Sequence, residues 1–284
     1  GLHSDRQQVS VLQRWFDPVG WLELVAEHRL ESSPVVPAML QLLLGQQLDD
    51  YDLSSLQSFG SGGATLPPAV RDEVEKVFGV AILEGYGCTE ASAVISAETL
   101  HEHRSGSVGK PLPHAEVAIL DPEGRPVPTG AEGEICVRGH GVMLGYWNEP
   151  DLTAQTVRDG WLHTGDVGRL DEDGYLYVVD RLKDLIIRGG FNVFPRDVED
   201  VLLEHPAVQV AACVGKPDPV SGEEVVAVVQ LAPGQEVTGT ELVEFAKARM
   251  AKYKYPRDVL VLDAVPLTSV GKINRKAVRD LVRT

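Results

Sequence analysis

Along the first hundred residues, apolar segments alternate between two periods. Short runs at Val35-Val36, Leu56 to Phe59 and Val80 to Leu83 are bounded by glycine or proline, as strands are. Between them, Leu22, Val25 and Ala26 recur at helical spacing, and Pro67 to Phe78 reads as a helix with Pro67 at its start and Gly79 at its end. Phe16-Asp17-Pro18 opens the first helix, Val9 to Trp15 reads as a short strand before it, and Val35 to Leu44 as a strand end running into a helix. This alternation predicts a mainly parallel sheet covered by helices. From about Gly106 the pattern shortens. Val117 to Leu120, Glu134 to Arg138 and a hairpin turning at Asp173-Gly174 are strands between Pro/Gly turns, with no helix before Pro150. Beyond Pro195 the pattern changes again: helices over 198–203, 241–250 and 275–282 and strands over 208–214, 225–231 and 259–262 predict an α+β lobe. The fold class is α/β. It comprises a partial parallel α/β subdomain over 1–105, a small β-barrel subdomain over 106–182 and a mobile α+β C-terminal domain over 183–284.

Composition narrows the function. A chain of 284 residues with 43% hydrophobic and 24% charged residues is globular. A formal charge of -16 argues against general nucleic-acid binding, which needs excess Lys and Arg. Cys88, Cys136 and Cys213 are odd in number and widely spaced, fitting a reducing cytosol better than a disulfide framework. No apolar run approaches a membrane span.

Candidate chemistry gathers between Trp161 and Pro195. The hairpin places Asp166 near one end of a ribbon and Asp180-Arg181 at the other; a carboxylate accepts from vicinal hydroxyls and a guanidinium donates as a fork, so together they suit a ribose. Lys183-Asp184 breaks the ribbon, and Gly189-Gly190 admits backbone conformations closed to other residues, so the stretch reads as a grip ending in a swivel. Upstream, Tyr86-Gly87-Cys88-Thr89-Glu90 follows a strand of the parallel sheet, where such sheets bind ligands. Tyr86 offers a face for a purine, Thr89 a hydroxyl for a phosphate and Glu90 an oxygen for Mg²⁺; a turn with a Thr-Glu cap reads the pentapeptide equally well. Gly62, Gly63 and Ala64 form a loop that a ligand could approach closely, or a tight turn. Gly271-Lys272 would put a compact positive charge on a loop. His101 and His103, in polar surroundings, read as a solvated loop rather than metal ligands.

Thr164-Gly165-Asp166, Asp180-Arg181-x-Lys183-Asp184, Gly189-Gly190, Tyr86-Gly87-x-Thr89-Glu90 and Pro266 to Arg275 together resemble the adenylate-forming superfamily, in its acyl-CoA synthetase branch. The resemblance implies an AMP-forming acid:CoA ligase acting on a small-molecule carboxylic acid, with fatty acids the expected class and ATP/AMP, Mg²⁺ and coenzyme A as cofactors. It implies nucleotide contacts from Gly62, Gly63, Ala64, Tyr86, Gly87, Thr89, Asp166 and Arg181, and a metal contact from Glu90. Lys272 would serve adenylation, the terminal lobe would swing about Lys183, and Gly189 and Gly190 would line the thiol's approach. Lys272 is also expected to be a target for a lysine acetyltransferase. Adenylation of amino or aryl acids, or a non-catalytic nucleotide-binding fragment, are the alternatives. The superfamily's Ser/Thr/Gly-rich phosphate loop is expected upstream of these motifs, so the chain corresponds to the later half of the family, alone inactive in adenylation and with its first strands short of sheet neighbours.

Overall fold

The computed structural model describes residues 9–64, 66–268 and 272–283. The expectations for Gly1 to Gln8 and for Gly271 lie outside them. The described chain forms two compact units, one reaching to Gly87 and resuming at Ser96–Gly109, the other made of Cys88–Ile95 and everything from Lys110 onward.

In the first unit, strands β1 (Ser32–Val35), β2 (Ser58–Ser61) and β3 (Ala81–Tyr86) pair in parallel, and β4 (Ser96–Ala97) returns antiparallel to β3. Helices α1 (Pro18–His28), α2 (Pro37–Leu44) and α3 (Pro68–Phe78) pack on this sheet. Each begins with proline, whose fixed φ and missing N–H suit a first turn. Asp17 caps α1 by accepting from the Gly20 N–H, and Gly79 ends α3 in the left-handed region at φ 68°. Val35, Phe59 and Ile82, one from each parallel strand, meet Trp21, Leu40 and Val74 of the helices in the core. The expected strand over Val9 to Trp15 does not form. Val9, Leu12 and Trp15 are 79%, 91% and 76% exposed, and the run pairs with no strand among the described residues, so its backbone groups have no ladder to join. Among the described residues β1 is a sheet edge, paired only with β2.

In the second unit, after a two-residue strand β5 (Lys110–Pro111), an antiparallel half-barrel is built from β6 (Glu116–Leu120), β7 (Gly133–Arg138), β9 (Trp161–Leu170) and β10 (Leu176–Arg181), in the order β10-β9-β7-β6. A short helix α4 (Pro150–Thr156) leads into β8 (Val157–Arg158), which pairs with β9. Beyond a 3-10 turn at Leu182–Asp184 comes a second sheet: β11 (Ile186–Arg188), β12 (Phe191–Val193), β13 (Val208–Asp218), β14 (Gly222–Leu231) and β15 (Asp258–Leu262). Alternate residues of β13 and β14 serve two cores. Ala211, Cys213, Val225 and Ala227 face α5 (Pro195–Leu203) and α6 (Gly239–Lys247), while Ala212, Val214, Val226 and Val228 face α7 (Arg275–Val282). A sheet covered on both faces needs continuous apolar runs, which is how these strands read in sequence. No helix among the described residues is long and apolar enough to cross a membrane.

Candidate active site

Within the first unit lie a strand end and a glycine loop that carry candidate residues. β3 terminates at Tyr86, and the loop after β2 holds Gly62 by an N–H bond to the Val35 carbonyl at 3.4 Å. Gly63 takes φ 78°, closed to most side chains, and with Ala64 it is exposed. A Cβ on Gly62 would sit 3.5 Å from the Gly85 carbonyl oxygen, so the two segments run close together.

The second unit gathers the titratable groups. A 3-10 turn at Thr89–Ala91 presents Glu90, whose carboxyl is held below the usual range first by its own backbone amide and then by the Tyr146 hydroxyl, 2.8 Å from Oε1. Such an ionised carboxylate is the donor that Mg²⁺ takes when phosphate oxygens and waters complete its shell. Burial, then Glu90, push the Tyr146 hydroxyl up, so it stays a donor. In the sequence the one signal for Tyr146 is an aromatic within the glycine-punctuated stretch Gly141 to Trp147. Its own amide is fixed by Thr153 Oγ1 at 2.9 Å. The Cys88 thiol is pushed up to about 11 by burial, and next by the charges of Glu90 and Asp166, which places all three groups in one neighbourhood.

Asp166 and Arg181 are direct cross-strand partners, not opposite ends of a ribbon, because the hairpin folds the chain back on itself. Arg181 Nε lies 3.1 Å from Asp166 Oδ1, with Asp166 buried and Arg181 exposed. Gly165, at φ 72°, lets β9 bulge, and Thr164 Oγ1 donates to the Ile135 carbonyl while accepting from the Asp166 N–H. The next residues form the 3-10 turn containing Lys183. Gly189 and Gly190 then make a two-residue hairpin turn between β11 and β12, both at positive φ. Lys272 is exposed; its N–H donates to Thr268 Oγ1 and its carbonyl accepts from the Thr268 N–H. His101 and His103 are exposed in their loop.

Among the described residues, the three-donor group that could take a metal is elsewhere: Glu134, Cys136 and His163, on paired strands β7 and β9. There the Arg158 guanidinium lies 2.7 Å from His163 Nδ1 and 3.8 Å from Glu134 Oε2. Arginine already occupies the cation's place, and burial pushes the Cys136 thiol up to about 12. This cluster ties strands together.

The AMP-binding enzyme description matches residues 6–147, and the AMP-binding enzyme C-terminal domain matches residues 197–272. The chain belongs to the AMP-binding enzyme family. Among its relatives, a medium/long-chain-fatty-acid–CoA ligase of Mycobacterium tuberculosis is 44% identical over 93% of this chain and 48% of its own length. A feruloyl-CoA synthase of Amycolatopsis is 42% identical over 95% of this chain and 55% of its own. The solved amide bond synthetase McbA from Marinactinospora thermotolerans matches with TM-score 0.88 at 40% identity, covering 95% of this chain and 55% of that one. The chain spans about half the length of the curated relatives it matches.

Proposed function

We propose that this chain forms part of an AMP-forming acid:CoA ligase, with fatty acids as its leading substrate class. The observation that carries the reading is the Asp166–Arg181 pair, set immediately before the Lys183 turn. A buried carboxylate held by a guanidinium is a rigid acceptor for ribose hydroxyls, and its place at the root of the following domain links nucleotide binding to that domain's position. The substrate's carboxylate oxygen attacks the α-phosphorus of ATP, and the bond to pyrophosphate breaks. The sulfur of coenzyme A then attacks the acyl carbon, its proton is lost, and AMP leaves. Lys272 offsets negative charge in the first step; Tyr86, Gly62, Gly63, Ala64 and Gly87 surround the base, and Thr89 meets a phosphate oxygen. Glu90 would hold Mg²⁺, which neutralises phosphate charge when bound. Gly189 and Gly190 expose a side-chain-free turn beside which a thiol can pass. Fatty-acid and feruloyl ligases among the relatives support the thioester; the amide bond synthetase keeps an amine acceptor as the alternative.

The test uses the full-length protein with ATP, Mg²⁺, coenzyme A and a panel of fatty and aryl acids, following pyrophosphate and thioester by mass spectrometry. Acid-dependent thioester and AMP support the reading; no acid-dependent pyrophosphate with any acid overturns it. Free thiols at Cys88, Cys136 and Cys213 favour a reducing compartment, and we assign the cytosol. Lys272, exposed, is also proposed as a target of a lysine acetyltransferase, which would remove its charge. Peptide mapping after acetylation that finds label at Lys216, Lys247 or Lys252 but none at Lys272 would exclude it.

A further inference from the structure

Helix α7 begins three residues after Lys272, and two of its arginines reach the hinge. Arg275 lays its guanidinium along Glu199 of α5, with Nη1 to Oε1 at 2.5 Å and Nη2 to Oε2 at 2.9 Å. Its Nη1 also donates to the Cys213 carbonyl at 2.8 Å, and its Nε lies 3.7 Å from Asp184 Oδ2. Arg279, one turn later on the same helix face, donates from Nη2 to Asp184 Oδ1 at 2.5 Å and makes a long contact of 3.5 Å with the Lys183 carbonyl oxygen. Asp184 is buried, and these two guanidiniums are placed against it.

The other end of the helix's attachment is equally defined. Asn274 caps α7 by accepting from the Ala277 N–H at 3.2 Å, and its own N–H donates to the Pro266 carbonyl at 2.9 Å. The Leu267–Ile273 bridge and the Thr268–Lys272 bonds then close the loop that carries the lysine. A continuous run of bonded groups therefore joins the Lys183 carbonyl to the Lys272 backbone through Asp184, Arg279 and α7. The Gly189-Gly190 turn is fastened separately, by Gly189 N–H to the Ser221 carbonyl and Ile187 N–H to Glu223 Oε2, both at 2.8 Å.

We propose that Arg279 is a positioning residue that carries the backbone angle at the hinge to Lys272 by gripping Asp184 and the Lys183 carbonyl. The inference rests on the reading above, in which Lys272 serves adenylation and Lys183 is the pivot. It places the pivot on the N-terminal side of Asp184, because Asp184 is bonded into the body of α7. It also divides the labour between the two arginines. Arg275 holds the fold together, since removing it would leave the Glu199 carboxylate buried without its cation. Arg279 has a side chain 31% exposed, and solvent can reach the gap that its loss would leave.

The experiment compares Arg279→Ala, Arg279→Lys and Lys272→Ala, and the double variant Arg279→Ala with Lys272→Ala, in the full-length protein. Adenylation is read by pyrophosphate exchange, and thioester formation by supplying acyl-adenylate. Arg279→Ala is expected to slow adenylation on the order of 100-fold, the loss typical of a displaced catalytic group, while thioester formation stays within about twofold. Arg279→Lys, which can still meet Asp184, should recover part of the rate. On the Lys272→Ala background Arg279→Ala should cost nothing further, since a residue acting only through Lys272 has nothing left to position. Equal losses in both half-reactions, or a further loss on the Lys272→Ala background, would overturn the assignment. If the wild type makes no acyl-adenylate, the ligase reading fails separately, and amide hydrogen exchange decides the clamp. Leu185 and Asn274 amides should both exchange faster in Arg279→Ala; acceleration confined to α7 would sink it.

Discussion

The Tyr146 hydroxyl donates to Glu90 Oε1 at 2.8 Å, joining two groups 56 residues apart in sequence. Its removal should be felt in the pH profile. Glu90 stays ionised to unusually low pH because its own amide and then Tyr146 stabilise the carboxylate. In Tyr146→Phe the carboxyl regains protons at higher pH, so the acid limb of kcat/KM should move upward. Near neutrality the rate should fall about tenfold, the value of one hydrogen bond to a charged group. An unmoved acid limb would mean that Glu90 does not control it.

Lys272 and Lys183 should separate the two half-reactions. Lys272→Ala is expected to cut adenylation by roughly 100-fold or more, with Tm unchanged because the side chain is exposed. Lys183→Pro fixes φ within the 3-10 turn and restricts Leu182 before it. Thioester formation from supplied acyl-adenylate should then be lost while adenylation persists. In the present posture Arg196 fastens the turn's two sides, its N–H donating to Asp180 Oδ2 at 3.0 Å and its guanidinium to the Val178 carbonyl at 2.9 Å. Rates of both half-reactions in the two variants check the separation.

Arg71 should be the costliest residue to remove from the first unit. It is buried and meets Glu84 at 3.0 Å and Glu98 at 3.3 Å, with a further bond to the Ile82 carbonyl. Burial alone would lower its pKa, yet Glu98 and Glu84 hold it raised, so the guanidinium keeps its charge. Arg71→Met strands two buried carboxylates, a loss of about 3–5 kcal/mol. Urea unfolding at neutral pH measures it, and a loss below 1 kcal/mol would show that the carboxylates find other partners.

Thiol labelling should single out Cys88. Cys136 and Cys213 are fully buried, and burial raises both, whereas Cys88 is only half-buried. With its thiol pushed up to about 11, Cys88 should react slowly at neutral pH and faster toward alkaline pH as thiolate forms. AMP should protect it if the Tyr86 to Glu90 segment binds nucleotide. Mass mapping after a thiol reagent reads both.

Periodicity made the elements legible where local and global preferences agree. Helix α7 occupies Arg275–Val282 as its spacing predicts, and β13 and β14 follow their apolar runs. β2 begins two residues later than its apolar run, because pairing with β3 and not hydropathy sets where a ladder starts. The Asp166–Arg181 contact was half legible: the motif names both residues, but only antiparallel register puts them opposite each other. Tyr146, Arg196 and Arg279 were not legible, since each acts on a group 16 or more positions away and carries no local pattern.

The β13–β14 ladder carries a consequence for how the chain acquires its shape. Ten register pairs, from Val208–Leu231 to Asp218–Gly222, close across a three-residue connection, so this hairpin needs no distant segment to form. Contacts of short sequence separation form early, before loop-closure entropy weighs heavily. α7 docks on the face of this hairpin and follows it in the chain, so it is synthesised after it. During translation the ladder therefore stands complete, with one apolar face uncovered, until the segment bearing Lys272 arrives to seal it.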